Sequence, residues 1–93
     1  MVFMKLTWNE VKRQRTLAER KLDFADAAEV FVGDTHNFED NRQGYGEKRI
    51  ISVGFLRDRM VVIVYTPRAG SRRIISMRYA NERERRYYAQ FFA

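Results

Sequence analysis

Between residues 48 and 80 three segments of strand-like composition follow one another with only short turns between them. KRIISVGFL (48–56) is rich in β-branched residues, MVVIVYTP (60–67) is almost wholly apolar, and RRIISMRYA (72–80) mixes branched apolar side chains with arginines. The separators RDR (57–59) and RAGS (68–71) are long enough for hairpin turns but not for a parallel crossover, which needs a dozen residues or more. An antiparallel meander is therefore the one arrangement open to this half of the chain. The middle segment lacks polar alternation, so it is expected at the centre of the sheet with both faces covered. Strict alternation along 72–80 places Ile74, Ser76 and Arg78 on one face and Arg73, Ile75, Met77 and Tyr79 on the other.

Helical patterns flank the meander. FMKLTW (3–8) reads as a short strand, and Asn9 with Glu10 behind it reads as the N-cap of a largely polar helix through about Glu19. In DFADAAEVFV (23–32), Phe24, Ala27, Ala28 and Phe31 share one helical face, Asp23 can cap the segment, and Gly33 closes it. THNFED (35–40) is a short strand or extended loop, and NRQGYG (41–46) has the residues of a loop tip. Asn81 caps a last helix, ERERRYYAQFF. The expected fold is α+β: one domain over residues 1–93, with N-terminal helices packed on a three- to four-stranded antiparallel sheet and a C-terminal helix. A hydrophobic fraction of 45% with 14% aromatics is enough for a single core.

The charge is unevenly placed. Residues 1–41 hold six lysines and arginines against eight carboxylates, net −2, whereas residues 42–93 hold twelve against four, net +8. Eleven of those twelve cations are arginine, whose planar fork suits phosphate and carboxylate. The excess points to a polyanionic partner. The opening residues hold no apolar stretch of signal-peptide length, and no run is long enough for a membrane span, so a soluble cytoplasmic protein is expected.

Most catalytic motifs are missing. There is no phosphate-binding glycine loop, no cysteine, and one histidine, His36, so neither a thiolate nucleophile nor a histidine–cysteine metal site can be built. No cofactor is expected. Ser52, Ser71 and Ser76 have no histidine near them in sequence to activate them. The remaining constellation is cationic and aromatic. Arg73 and Arg78 come from the last strand, and Arg49 and Arg59 from neighbouring strands where they could share a face. Tyr65 ends the central strand, and Glu84 lies six residues beyond Arg78. Such a set suits RNA cleavage without a metal. Arginines stabilise the charge on an in-line phosphorane, while a carboxylate, lysine, histidine or tyrosine moves the protons. In the last helix, Glu82 with Arg86 and Glu82 with Arg85 have the spacing of surface ion pairs.

The order of these segments resembles the BrnT family of type II toxins, RelE-like ribonucleases. The matching words are LTWNEVKRQRTL, DFADAAEVF, GEKRIISVG, VVIVYTPR and RRIISMRYANERERRYY, in the family's order and spacing. The resemblance implies a compact α+β domain, metal-independent cleavage of mRNA that halts translation, and a cognate DNA-binding antitoxin of the BrnA type. That antitoxin neutralises the toxin, represses the shared operon with it, and dimerises the complex; operator DNA is reached only through it. By position, the family's motifs fall on Glu47 and Arg49, on Tyr65, Thr66 and Arg68, on Arg73, Ile74, Ile75, Ser76, Arg78 and Ala80, and on Glu84 and Tyr88. From these, Arg73, Arg78 and Glu84 are the candidates for the chemical step, and Arg49, Arg59, Tyr65, Arg68 and Tyr88 for holding RNA.

One stretch departs from the family. Where members carry asparagine-leucine, one residue, then lysine-histidine-glycine, this chain reads TLAERK, with Thr16, Glu19, Arg20 and Lys21 at the four changed positions. Lys21 is the candidate to supply the missing proton-transfer group. The alternative is a weakened nuclease whose remaining role is to hold the antitoxin and tune repression. Loss of the glycine implies that the link between the first two helices is made without a residue free to take positive φ.

Overall fold

The computed structural model describes residues 5–42 and 46–92. Its elements are β1 (Lys5–Thr7), α1 (Glu10–Arg20), a 3-10 turn (Phe24–Asp26) leading into α2 (Ala27–Val32), β2 (His36–Glu39), β3 (Ile50–Leu56), β4 (Arg59–Arg68), β5 (Ser71–Tyr79), α3 (Glu82–Tyr88) and a closing 3-10 turn (Ala89–Phe92). The fold is α+β. The sheet has five strands in the order β1-β5-β4-β3-β2. It is mixed rather than purely antiparallel, because β1 lies parallel to β5, with Lys5 opposite Ser71 and Thr7 opposite Arg73. The expectation of three to four antiparallel strands missed this pairing. β1 is three residues long, and its partner lies at the far end of the chain. The loop tip read at 41–46 falls partly outside the described residues.

The meander forms as its composition requires. Arg57 and Asp58 both take positive φ, 48° and 73°, which matches the two-residue hairpin turn between twisted strands. Gly70 takes φ 72° in the next turn. β4 is central, and Met60 to Ile63 are all buried.

Two layers cover the sheet. On the inner face Val61, Ile63, Ile74 and Met77 pack against Leu22, Phe24, Ala27 and Val30 from the 3-10 turn and α2. The close approach of α2 depends on Gly54: a Cβ there would stand 2.7 Å from Val30 Cγ1 and 3.0 Å from Thr35 Cγ2. On the outer face Val53, Met60, Val62 and Ala80 are covered by Phe38, Tyr88 and Phe92. His36 lies flat on Phe91 at 3.8 Å, so the lone histidine packs against the C-terminal turn.

α1 covers no core and has no buried residue. Asn9 caps it, accepting from the Lys12 amide, and Arg13 joins it to Asp23 through two hydrogen bonds of 2.7 and 3.0 Å. Beyond the short β1 it runs beside β5, where Arg20 Nη1 donates to the Met77 carbonyl at 3.1 Å. Arg20 thus satisfies one carbonyl of what would otherwise be an open strand edge. The end of α1 overturns one expectation. Lys21 itself takes the left-handed conformation, φ 60°, ψ 32°, and its amide closes the helix on Leu17. The missing glycine is replaced in place by a strained lysine.

Candidate nucleic-acid interface

The arginines of β5 are arranged by an irregularity. Val64 pairs with Ser76 and Tyr65 pairs with Ile74, so Ile75 is an extra residue in β5, a β-bulge. A bulge resets the alternation of side chains. Ile74 joins Met77 and Tyr65 on the inner side, while Ser76 and Arg78 stand outside. Arg73, the neighbour of Ile74 and partner of Thr66, is thereby brought to the outer face with Arg78. Strict alternation would have separated the two arginines, and that expectation is corrected. The bulge could not be read from a strand whose residues are all compatible with a regular ladder.

α3 and its closing turn cover one half of the outer face, and the other half is an open groove. One part, a cleft of about 240 Å³, is lined by Phe38, Arg42, Ile51, Ser76, Arg78, Glu84 and Tyr88, among others. The adjoining part, about 330 Å³, shares Ser76 and is walled by Lys12, Arg15, Thr16, Glu19 and Arg20 of α1, with Arg49 and Ile75. Arg49 reaches this face because Ile51 and Val53, at alternate positions of β3, do so.

Arg78 is held tightly. Its two terminal nitrogens each meet one oxygen of Glu84 at 2.7 Å, a bidentate pair that raises the arginine pKa. Glu84 also closes a capping box, accepting from the Asn81 amide at 2.9 Å while Asn81 accepts from the Glu84 amide. The Arg78 hydrogen bond, and behind it the Asn81 amide, lower the Glu84 carboxyl to about 2 against the cost of burial. A carboxylate so acidic is a poor proton acceptor; its position suits it to orient Arg78. Tyr88 stacks on Phe38, and burial followed by the Glu84 charge raises its phenol pKa. It therefore remains a protonated donor at neutral pH. Asp40, nearly buried, binds Arg42 through both oxygens at 2.9 and 2.7 Å.

Of the residues singled out from sequence, Arg49, Arg73, Arg78, Glu84 and Tyr88 come together on this face. Four do not. Arg59 lies over the Tyr79 ring at 3.6 Å and shares the inner side with Val61, so it does not line a face with Arg49. The hairpin register opposes it to Leu56, whose side chain is core. Tyr65 packs edge-on against Phe31 with Arg72 above it, also on the inner side. Arg68 pairs with Glu47 at 3.3 Å at the end of β4. Lys21 directs its ammonium to the Ala18 carbonyl at 3.1 Å. In the last helix the Glu82–Arg86 pair forms at 2.7 Å, whereas Arg85 turns instead to the Ala80 carbonyl at 2.8 Å.

Lys12, Arg15 and Arg20 were missed. The first half of the chain is net acidic, which hides a helix face that presents three cations together. Their spacing along one helical face was the available signal. Among the described residues no group of three or more His, Cys, Asp or Glu side chains could hold a metal ion.

The fold and this groove define a small α+β protein with a cationic sheet face, a surface for a polyanion. The family model for BrnT, the ribonuclease toxin of a type II toxin–antitoxin system, matches residues 8–84. The chain belongs to this family, and membership brings with it an antitoxin partner. No curated protein matches the chain. Among the described residues no helix is long and apolar enough to cross a membrane.

Proposed function

We propose that this protein is a RelE-like endoribonuclease that acts in the cytoplasm, cleaves mRNA without a metal, and so halts translation. In this reading a DNA-binding antitoxin of the BrnA type neutralises it and brings the pair to operator DNA as a hetero-oligomer on a dimeric antitoxin. The observation that carries the proposal is the convergence of Arg78 and Arg49 from the sheet with Lys12, Arg15 and Arg20 from α1 around one groove, with Arg73 turned to the same face by the bulge.

The chemistry follows from the groups present. A phosphodiester drawn into the groove meets guanidinium groups on both walls. Attack of the 2′-hydroxyl on phosphorus, in line with the leaving 5′-oxygen, builds negative charge on the equatorial oxygens, and these cations stabilise it. Arg78 is pre-oriented by Glu84, so little of its freedom remains to be lost on binding. In this scheme Glu19, which lines the groove, accepts the 2′-hydroxyl proton. The Tyr88 phenol, which lines the opposite wall, in the same scheme returns a proton to the leaving oxygen and stacks on a base.

The test is induction of the chain without its antitoxin, beside Arg73→Ala and Arg78→Ala at equal expression. Growth arrest with new ends in total RNA, lost in both variants, is the expected result. Unchanged toxicity in both would remove the strand arginines from the mechanism.

A second reading is favoured by one observation. Arg20 stands where family members carry histidine, and its guanidinium is engaged by the Met77 carbonyl. A group so occupied staples α1 to the sheet and moves no proton. On this reading the chain is a weakened nuclease whose basic groove serves chiefly to bind its antitoxin and support repression. Soluble, folded protein that causes no arrest would favour it.

A further inference from the structure

Thr66 lies on the outer face of β4, in a row that crosses three strands. It is paired with Arg73 on β5. On its other side Ile50 pairs with Tyr65, which roots Arg49 opposite Thr66. Thr66 is 2% exposed, and its hydroxyl makes no hydrogen bond. A buried hydroxyl in that state destabilises a fold, and valine would fill the same shape without that penalty. The contrast with Ser52 is instructive: that buried hydroxyl, on the inner face, donates to the side-chain oxygen of Asn37. Packing therefore explains the size of Thr66 but not its oxygen. The groups rooted on either side are cations, so the species drawn to this row is an anion, and a hydroxyl between two arginines has a proton to give it.

We propose that Arg49, Thr66 and Arg73 form a phosphodiester subsite in which the Thr66 hydroxyl donates to a phosphate oxygen. The inference rests on the RNA-binding part of the reading above but not on cleavage. The hydroxyl is covered in the structure, so the phosphate reaches it as the flanking guanidinium groups rise onto its other oxygens. Thr66 is then a positioning residue: it fixes where along the sheet the phosphate sits.

The experiment measures binding of a short 2′-O-methylated oligonucleotide, which this chemistry cannot cleave, by fluorescence anisotropy over a range of salt. Wild type, Thr66→Val and Thr66→Ser are compared, with urea unfolding of each. Thr66→Val is expected to bind about tenfold more weakly, since a hydrogen bond to a charged group is lost. Its slope of log affinity against log salt should match wild type, because no charge has been removed. Its urea midpoint should equal or exceed that of wild type. Thr66→Ser should bind within about twofold of wild type, the donor being retained. Thr66→Val binding as wild type would overturn the proposal. So would a loss of affinity accompanied by a lowered midpoint, which would mean that the hydroxyl has its partner within the protein. Wild-type chain that does not bind the oligonucleotide overturns the subsite outright. Binding without cleavage of ordinary RNA overturns the nuclease reading and leaves the subsite standing.

Discussion

Lys21 shows how a single residue can be read wrongly for a sound reason. An ammonium group in place of a missing lysine-histidine pair looks like a chemical substitute, yet its backbone does the family glycine's work at φ 60°. A left-handed non-glycine residue costs roughly 1–2 kcal/mol. Lys21→Gly should therefore raise stability by about 1 kcal/mol in urea unfolding. RNA cleavage unchanged by that substitution would assign the residue to the helix end and remove it from proton transfer. Glu84 carries the opposite lesson. Its distance from Arg78 was legible, but its acidity depends on two bonds that only the folded chain makes. Its folded pKa of about 2 lies below the ordinary value of 4.5, so the stability it contributes is present above pH 4.5 and lost as pH falls toward 2. Glu84→Gln, which can still cap α3, should cost about 0.5–1 kcal/mol at pH 7, the worth of a partly solvated bidentate pair. The gap from wild type should close as unfolding is followed from pH 4.5 down to 2.

At the scale of elements the meander was legible because each of its strands is long, branched and bounded by turn residues. The helix over 23–32 was legible as an amphipathic stretch, although its first turn is 3-10, only Ala27–Val32 is α, and the core takes Val30 where the expected face had Ala28, which is exposed. Two things were not legible. β1 is three residues long, and nothing local announces a parallel partner that begins at Ser71. The bulge at Ile75 has no composition of its own, and yet it decides which arginines share a face. Its importance can be tested at the same scale. Inserting an alanine between Val64 and Tyr65 gives Ile75 a partner, restores a regular ladder with strict alternation, and turns Arg73 to the inner side and Ile74 to the outer. The insertion should abolish binding to RNA and lower stability by several kcal/mol, of the order set by burying an unpaired charge. Ile75→Ala, which keeps the extra residue, should leave binding within about threefold, as a surface truncation does. Equal behaviour of the two variants, by anisotropy and unfolding, would mean that the bulge does not set the face.

For the whole molecule the charge asymmetry was a sound guide to the kind of partner and a poor guide to where the cations lie. Net charge by halves assigns the basic surface to residues 42–93, but the groove takes one wall from α1 in the other half. The sheet brings the two together, and a sum over sequence cannot. If the groove as a unit holds RNA, the affinity will fall steeply with salt, since each neutralised phosphate releases counterions. Arg73→Ala should reduce the slope of log affinity against log salt by about one unit, and Lys12→Ala should do the same from the opposite wall. A slope unmoved by Lys12→Ala would take α1 out of the interface. The placement of α1 also has a consequence in time. One wall of the groove is synthesised first and the other last, and they meet only when Lys5 finds Ser71 and Arg20 finds Met77. A nascent chain whose final third is still threaded through the ribosome has neither β5 nor α3 to complete the surface. The groove thus comes into being only once the last residues of the chain have left the ribosome.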